Sequence, residues 1–373
     1  MKRLPRRLRD ASWHDLLLIA LPALLLLIGG FWLAAQFIRP APPKQLILSS
    51  GGDGGAYQRF AARYKDILKR YDIELIEKPS AGSMENLQRL RDSNYSVDAG
   101  FIQGGTAHAT DEDALASLGS LYYEPLWIFY RTALAQKMPG HRLDAIDQLK
   151  GRRIAIGAPG SGAHVLALEI IEANGIASAP TKLLDMDGLA VVEALQKGRI
   201  DAAMVVGPTQ SAVVWSLLFS NGVQLMSLAH ADAYTRSFPY LERLTLSRGA
   251  VNLPRDIPAH DVSLVAPMGT LLVREGTHPA LVDLLLLAAS EVHGEAGLFQ
   301  KPGEFPRQAQ VDFPLSKEAE RYYKSGKTFL QRYLPFWAAT LIERLVVMLV
   351  PIFALLIPIV KFAPSLYSWR VRS

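Results

Sequence analysis

The sequence predicts a two-lobed α/β domain held between two membrane-spanning helices. Three observations predict it. Through residues 45–290, apolar runs of strand length alternate with helical runs, the rhythm of βαβ units on a parallel sheet. A long, aromatic-rich run at 121–131 breaks that rhythm and divides it into two sets. Uncharged apolar stretches near both ends raise the hydrophobic content to 50% of 373 residues, high for a soluble chain.

Residues 16–38 are 23 residues without a charge, enough to span a bilayer. Lys2, Arg3, Arg6, Arg7 and Arg9 precede them and assign the tail 1–15 to the cytoplasm. A cleaved signal peptide is the rival reading. The apolar run exceeds a usual signal core, no Ala-x-Ala site follows, and no cysteine is present to carry a lipid anchor, so an uncleaved signal anchor is expected. Near the other end, 345–360 is 16 uninterrupted apolar residues, about 24 Å of helix against a bilayer core of about 30 Å. A span at 337–362 therefore borrows from one side. It draws Glu343 and Arg344 inward, or leaves Lys361 to snorkel. A buried soluble helix is the alternative here. Lys361, Arg370 and Arg372 make the tail 363–373 cytoplasmic as well. The main domain is then expected on the periplasmic side of the inner membrane.

The formal net charge is +5, with +5 on residues 1–44 and +3 on 361–373, so the domain between carries −3. The basic balance belongs to the membrane flanks and argues against nucleic-acid binding. The absence of cysteine excludes thiol catalysis and thiolate metal sites.

Residues 39–44 are a proline-rich, stiff linker. A strand at 45–48 then enters Ser49-Ser50-Gly51-Gly52-Asp53-Gly54-Gly55-Ala56-Tyr57, and a helix at 58–70 leaves it. Uncovered N–H groups and the positive end of the helix dipole make this turn a ready anion site. A bare strand-to-helix turn is the plainer reading. A strand at 73–78, a turn at 80–83, a helix at 84–92 with Ser83 as its N-cap, and a strand at 97–103 follow. Asp111-Glu112-Asp113 reads as a solvated helix start rather than a metal site. The loops at 49–57, 79–83 and 103–106 all follow strands, on the edge where open α/β sheets bind ligands.

The second set repeats the opening. A strand at 154–156 leads to Gly157-Ala158-Pro159-Gly160-Ser161-Gly162 and a helix stopped at Gly175. Strands at 182–184, 200–206 and 223–226 and helices at 188–197 and 208–220 complete this lobe. Residues 237–251 are expected to return the chain to the first lobe, followed by strands in 262–273 and helices at 278–289 and 316–333. The lobes are accordingly 45–131 (lobe 1), 132–236 (lobe 2) and 237–333 (lobe 1 return and C-terminal helices).

Enzyme signatures are missing. Pro159 stands where a nucleophile elbow needs glycine. Neither glycine loop ends in Gly-Lys-Ser/Thr, and Tyr57 stands where a dinucleotide loop needs its third glycine. The eight histidines show no metal-binding spacing. No enzyme activity, cofactor or metal is expected. Two lobes with facing Gly/Ser loops suit a hinged binding protein closing on a small anion.

The sequence resembles a known family in three places. These are Ser50-Gly51-Gly52-x-Gly54-Gly55-x-Tyr57, then Glu124-Pro125 with Arg131, and the run from Leu149-Lys150-Gly151-Arg152-Arg153 to Gly160-Ser161-Gly162. They look like the TAXI-type solute receptors of TRAP transporters, over about residues 45–290. The last run is shared by many type II periplasmic binding proteins. The resemblance implies that two-lobed type II fold, a carboxylate ligand such as an amino-acid-like acid, and a TRAP-type permease as partner. Two membrane tethers depart from the freely diffusing or lipid-anchored receptors, so sensing stands beside uptake. The alternative is a regulatory or scaffold membrane protein whose binding domain contacts a protein partner.

By position, Ser50, Gly51, Gly55 and Tyr57 are expected to contact the ligand from lobe 1, with Ser83, Gln103, Gly104 and Gly105 on the same edge. Ser161 and Gly162 contribute from lobe 2, with Thr209 and Gln210 at another helix start. Arg131 pairs with a carboxylate near the crossing, or is a surface arginine. Tyr57 is alternatively a core aromatic beneath its helix.

Overall fold

A computed structural model describes residues 42–110, 112–178, 180–308 and 312–326, with isolated helical positions at 21, 25, 28, 29, 338, 339, 341, 342, 345 and 346. Both expected membrane spans, 16–38 and 337–362, and both tails lie otherwise outside the described residues. Among those described, no helix is long and apolar enough to cross a membrane.

Residues 43–326 form one compact unit built on two five-stranded sheets. In the first, β1 (Gln45–Ser49), β2 (Glu74–Lys78) and β3 (Ala99–Gln103) run parallel, joined by α1 (Ala56–Lys69) and α2 (Ser83–Arg91). β4 (Leu115–Tyr123) completes it, across a strand from the far end of the chain. β3 and β4 are buried on both faces, and 115–121, with Ser117, Gly119 and Ser120 among its leucines, has no regular alternation and escapes a period-two search. α1 turns Ala61, Tyr64, Ile67 and Leu68 inward, a spacing of three and four that lays one stripe on the sheet.

β5 (Leu126–Arg131) belongs to the second sheet, with β6 (Arg153–Ala155), β7 (Lys182–Leu184), β8 (Ala202–Val206) and β9 (Val223–Leu225). The strand order is β7-β6-β8-β5-β9. Helices α3 (Gly162–Ala173), α4 (Gly188–Gln196), α5 (Ala212–Leu218) and α6 (Ala231–Ser237) connect and cover these strands. Gly175, at φ +65°, ends the α3 turn as expected. Trp127 and Phe129 are fully buried among Val191, Leu195 and Val214.

The lobe boundaries differ from the expected ones. The aromatic run at 121–131 is two strands in two sheets, so the crossing lies at Glu124–Pro125 and not at 131. Nor does the chain return at 237. β10 (Glu242–Leu246) pairs with β11 (Val262–Ala266), and Leu244, Leu246, Val262 and Leu264 join the second lobe's core. The return is at Pro267, after which β12 (Met268–Arg274) enters the first sheet antiparallel to β3 and β4. The Glu124 N–H donates to the Pro267 carbonyl at 2.9 Å, so the two crossings lie side by side. Each carries a proline, which suits a segment outside both ladders.

α7 (Pro279–His293) packs on α1, and α8 (Lys317–Ser325) packs on α7 and β4. The polar helix expected at 316–333 thus ends at Gly326 within the described residues. Asp113 starts no helix. Its carboxylate accepts from Arg91 and from the Thr110 N–H, and Arg91 holds it down at about 2. Asp111 lies outside the described residues.

Candidate functional site

A cleft of about 210 Å³ opens between the lobes at the carboxyl ends of β1, β6 and β8. The opening glycine loop forms one wall. Gly54 has φ +70°, and a Cβ at Gly55 would sit 2.8 Å from the Gly52 carbonyl, so this turn admits glycine at both places. The turn leaves the first N–H groups of α1 facing the cleft. Opposite stand the N-termini of α3, at Gly162 and Ala163, and of α4, at Gly188. Three helix ends, one from lobe 1 and two from lobe 2, therefore direct unpaired donors and positive dipole ends at one space. No lysine, arginine or histidine lines it among the described residues.

The α2 terminus has another use. Its Met84 and Glu85 N–H groups donate to the Gly160 carbonyl of lobe 2, at 3.1 and 3.4 Å. Gln103 Nε2 donates to the Gly162 carbonyl at 3.0 Å. A Cβ at Gly82 would lie 3.3 Å from the Ser161 Cα. These contacts join the two lobes directly, so the structure is the closed form.

Of the expected contact residues, Gly51, Gly55, Tyr57, Ser83, Gln103, Ser161 and Gly162 line the cleft. Ser83 is not an N-cap. Gly82 holds that position, and the Ser83 hydroxyl accepts from the Gln103 N–H at 2.8 Å and lies 3.0 Å from Thr106 Oγ1. Ser161 caps α3 by accepting from the His164 N–H while donating to the Ala158 carbonyl.

The remaining expected residues lie elsewhere. Ser50 is fully buried behind the loop, and its hydroxyl donates to Glu77 at 2.7 Å. Gly104 and Gly105 turn away, donating to Met268 and Asp312, and Tyr240 packs against Gly105. Arg131 ends β5 at the opposite edge of its sheet, beside Gly198 and 4.0 Å from Asp201. β5 runs antiparallel to β8, so its first residue reaches the cleft edge and its last cannot. Thr209 and Gln210 border a different cavity, behind the cleft.

Two residues carry more of the site than the sequence indicated. Glu124 lines the cleft at the crossing, 4% exposed. Tyr122 donates to its Oε1 at 2.6 Å and Tyr57 to its Oε2 at 3.2 Å. Burial pushes its carboxyl up to about 7, against the opposing pull of the two hydroxyls. A charge placed between apolar strands was the available signal. Asn86, fully buried, donates from Nδ2 to the Ser50 and Phe101 carbonyls and accepts at Oδ1 from Ser49 and Ser80. It ties the end of β1 and the turn before α2 to the middle of β3, and nothing local in the sequence marks it.

The NMT1-like family matches residues 49–325. This chain belongs to the NMT1-like family. Its fold is a two-lobed α/β one with a five-stranded sheet in each lobe. Among solved structures it is similar to the periplasmic aliphatic sulphonate binding protein SsuA from Escherichia coli, at 15% identity and TM-score 0.41 over 86% of this chain and 83% of that one. It is similar also to the alkanesulfonate-binding protein SsuA from Xanthomonas axonopodis pv. citri, bound to MOPS, at 18% identity and TM-score 0.39 over 69% and 82%. A third is the CcmR regulatory domain from Synechocystis PCC6803 in complex with 2-PG, at 14% identity and TM-score 0.43 over 67% and 97%.

Proposed function

We propose that this NMT1-like protein is a solute-binding protein whose lobes close on a small organic acid, without chemical turnover. One observation carries the reading: three helix N-termini from both lobes converge on a cleft that, among the described residues, is lined by Asp53, Glu124 and Asp187 and by no cationic side chain. Backbone N–H groups then receive the carboxylate, in the manner of anion sites at helix starts. Glu124, at the crossing, faces the other end of the ligand and favours one that offers a hydrogen-bond donor there, as an amino-acid-like acid does.

With the spans at 16–38 and 337–362, the domain is held at the outer face of the membrane and hands its solute to a TRAP-type permease or reports its presence. Native mass spectrometry of the purified full chain tests the binding reading. A co-purified organic acid is expected, and adding that acid back raises the melting temperature. If no small molecule is carried and no member of a broad acid library shifts the melting curve, the reading fails.

A further inference from the structure

A second cavity, of about 360 Å³, lies behind the loop that follows β8. Pro208 borders both this cavity and the cleft, so one loop divides them. Its walls come from α1, from the end of α7 and from the segment after α7.

Arg59 and Arg63 stand one turn apart on α1 and both line the cavity. Each gives a single Nη1 donor to a backbone carbonyl: Arg59 to Gln210 at 2.7 Å, Arg63 to Val292 at 3.3 Å. Neither has a carboxylate partner among the described residues, although most arginines of the domain do. The lining holds one acid, Glu295, which like both arginines is exposed. The cavity is therefore net positive, with several guanidinium donors unassigned.

Beside them His293 is 3% exposed, and its Nε2 has no hydrogen-bond partner. Its ring stacks on Tyr122 at 5.3 Å and meets Phe60 edge-on at 4.5 Å. Burial, then the Arg63 charge, holds it down at about 3. That nitrogen has almost no accessible surface, so ring packing encloses it and His293 meets the cavity as part of an aromatic wall. Phe60 and Phe299 give the same space apolar walls.

We propose that this cavity is a second binding site, separate from the cleft, for a small organic carboxylate. Arg59 and Arg63 receive the carboxylate, and the rings of Phe60, Phe299 and His293 cover the apolar body. Paired guanidiniums suit a carboxylate's two oxygens. Aromatic walls favour an organic acid over an inorganic anion, which would leave them wetted.

Benzoate is the probe, titrated into the full chain by calorimetry. Binding is expected, weakened about tenfold or more by the double substitution Arg59→Gln/Arg63→Gln. It should persist in Ala163→Leu, which crowds the cleft instead. In the unsubstituted chain, benzoate should move the His293 ring resonances. No binding up to about 10 mM, or an unmoved His293, overturns the proposal. So does binding lost in Ala163→Leu but kept without the two arginines. Inorganic phosphate binding as tightly as benzoate overturns the organic-carboxylate assignment.

Discussion

The Tyr57 hydroxyl donates to Glu124 Oε2 at 3.2 Å, tying the helix of the glycine loop to the point where the chain leaves lobe 1. Tyr57 also stacks on Phe101 at 5.3 Å. It is therefore both a cleft residue and a core aromatic, and the two sequence readings of it describe its two ends.

Glu124 makes stability depend on pH. Its carboxyl titrates at about 7 in the fold, against 4.5 ordinarily. Between those values the folded chain holds a proton that the unfolded chain releases. The unfolded state then binds fewer protons, so stability falls as pH rises from about 4.5 to about 7 and stays reduced above that. The full loss is on the order of 3 kcal/mol. Glu124→Gln keeps a polar partner for both tyrosines and removes the ionisation. The stability difference between variant and wild type, from denaturant unfolding, should grow in the variant's favour between about pH 5 and about pH 8. A difference that does not change with pH would show that Glu124 ionises freely.

Gly162 sits where the lobes touch. A Cβ there would lie 2.7 Å from Gln103 Oε1 and Cδ. The same glutamine donates to the Gly162 carbonyl. Gly162→Ala should leave each lobe intact while penalising their approach by roughly 1–3 kcal/mol, the usual cost of overpacking. The closed-to-open ratio should fall about fivefold or more. Small-angle scattering should report a larger radius of gyration for the variant. An unchanged radius, with ligand affinity intact, would mean that Gln103 swings aside without cost.

Much of this was legible in the sequence, and the misses have physical causes. The strand–loop–helix units and both glycine loops follow from apolar runs punctuated by Gly and Ser, which act locally. The lobe boundary is hidden because 121–130 is apolar or aromatic on both sides of Glu124–Pro125: a strand of one sheet and a strand of the next have the same composition. Only Glu124–Pro125 marks the break. Arg131 was misplaced for a related reason. Its distance along the chain from Glu124 is short, but β5 carries it across the whole sheet. Ser50 and Asn86 show the other limit, since a strand-end serine can face the cleft or the interior. The Ser50 hydroxyl turns inward to a partner 27 positions away, Glu77.

The placement of Arg131 yields a negative expectation. Its guanidinium is partly exposed and 4.0 Å from Asp201, which Arg153 already engages at 2.9 Å. Arg131→Ala should cost at most about 1 kcal/mol, as exposed pairs do. It should leave the affinity for the cleft ligand unchanged in a calorimetric titration. A loss of affinity of tenfold or more would return Arg131 to the site and contradict the strand polarity that removes it.

Asn86 is expected to be the most sensitive position that does not itself line the cleft. Four hydrogen bonds meet on its side chain, from the end of β1, the middle of β3 and the turn before α2. Asn86→Ala removes the amide donor from the Ser50 and Phe101 carbonyls, leaving Ser50 only a long bond from the Ser80 hydroxyl at 3.4 Å. A buried group that loses its partner costs about 1–3 kcal/mol. The Ser49 and Ser80 hydroxyls can rotate toward other acceptors, so a net loss of about 2–4 kcal/mol in denaturant unfolding is expected. Asn86→Asp keeps the two acceptor bonds and loses both donors, placing a carboxylate against two carbonyl oxygens. It should be at least as damaging as alanine despite its shape. If aspartate were tolerated, these loops would not be organised by the Asn86 amide, and the geometry of the cleft wall would need another source.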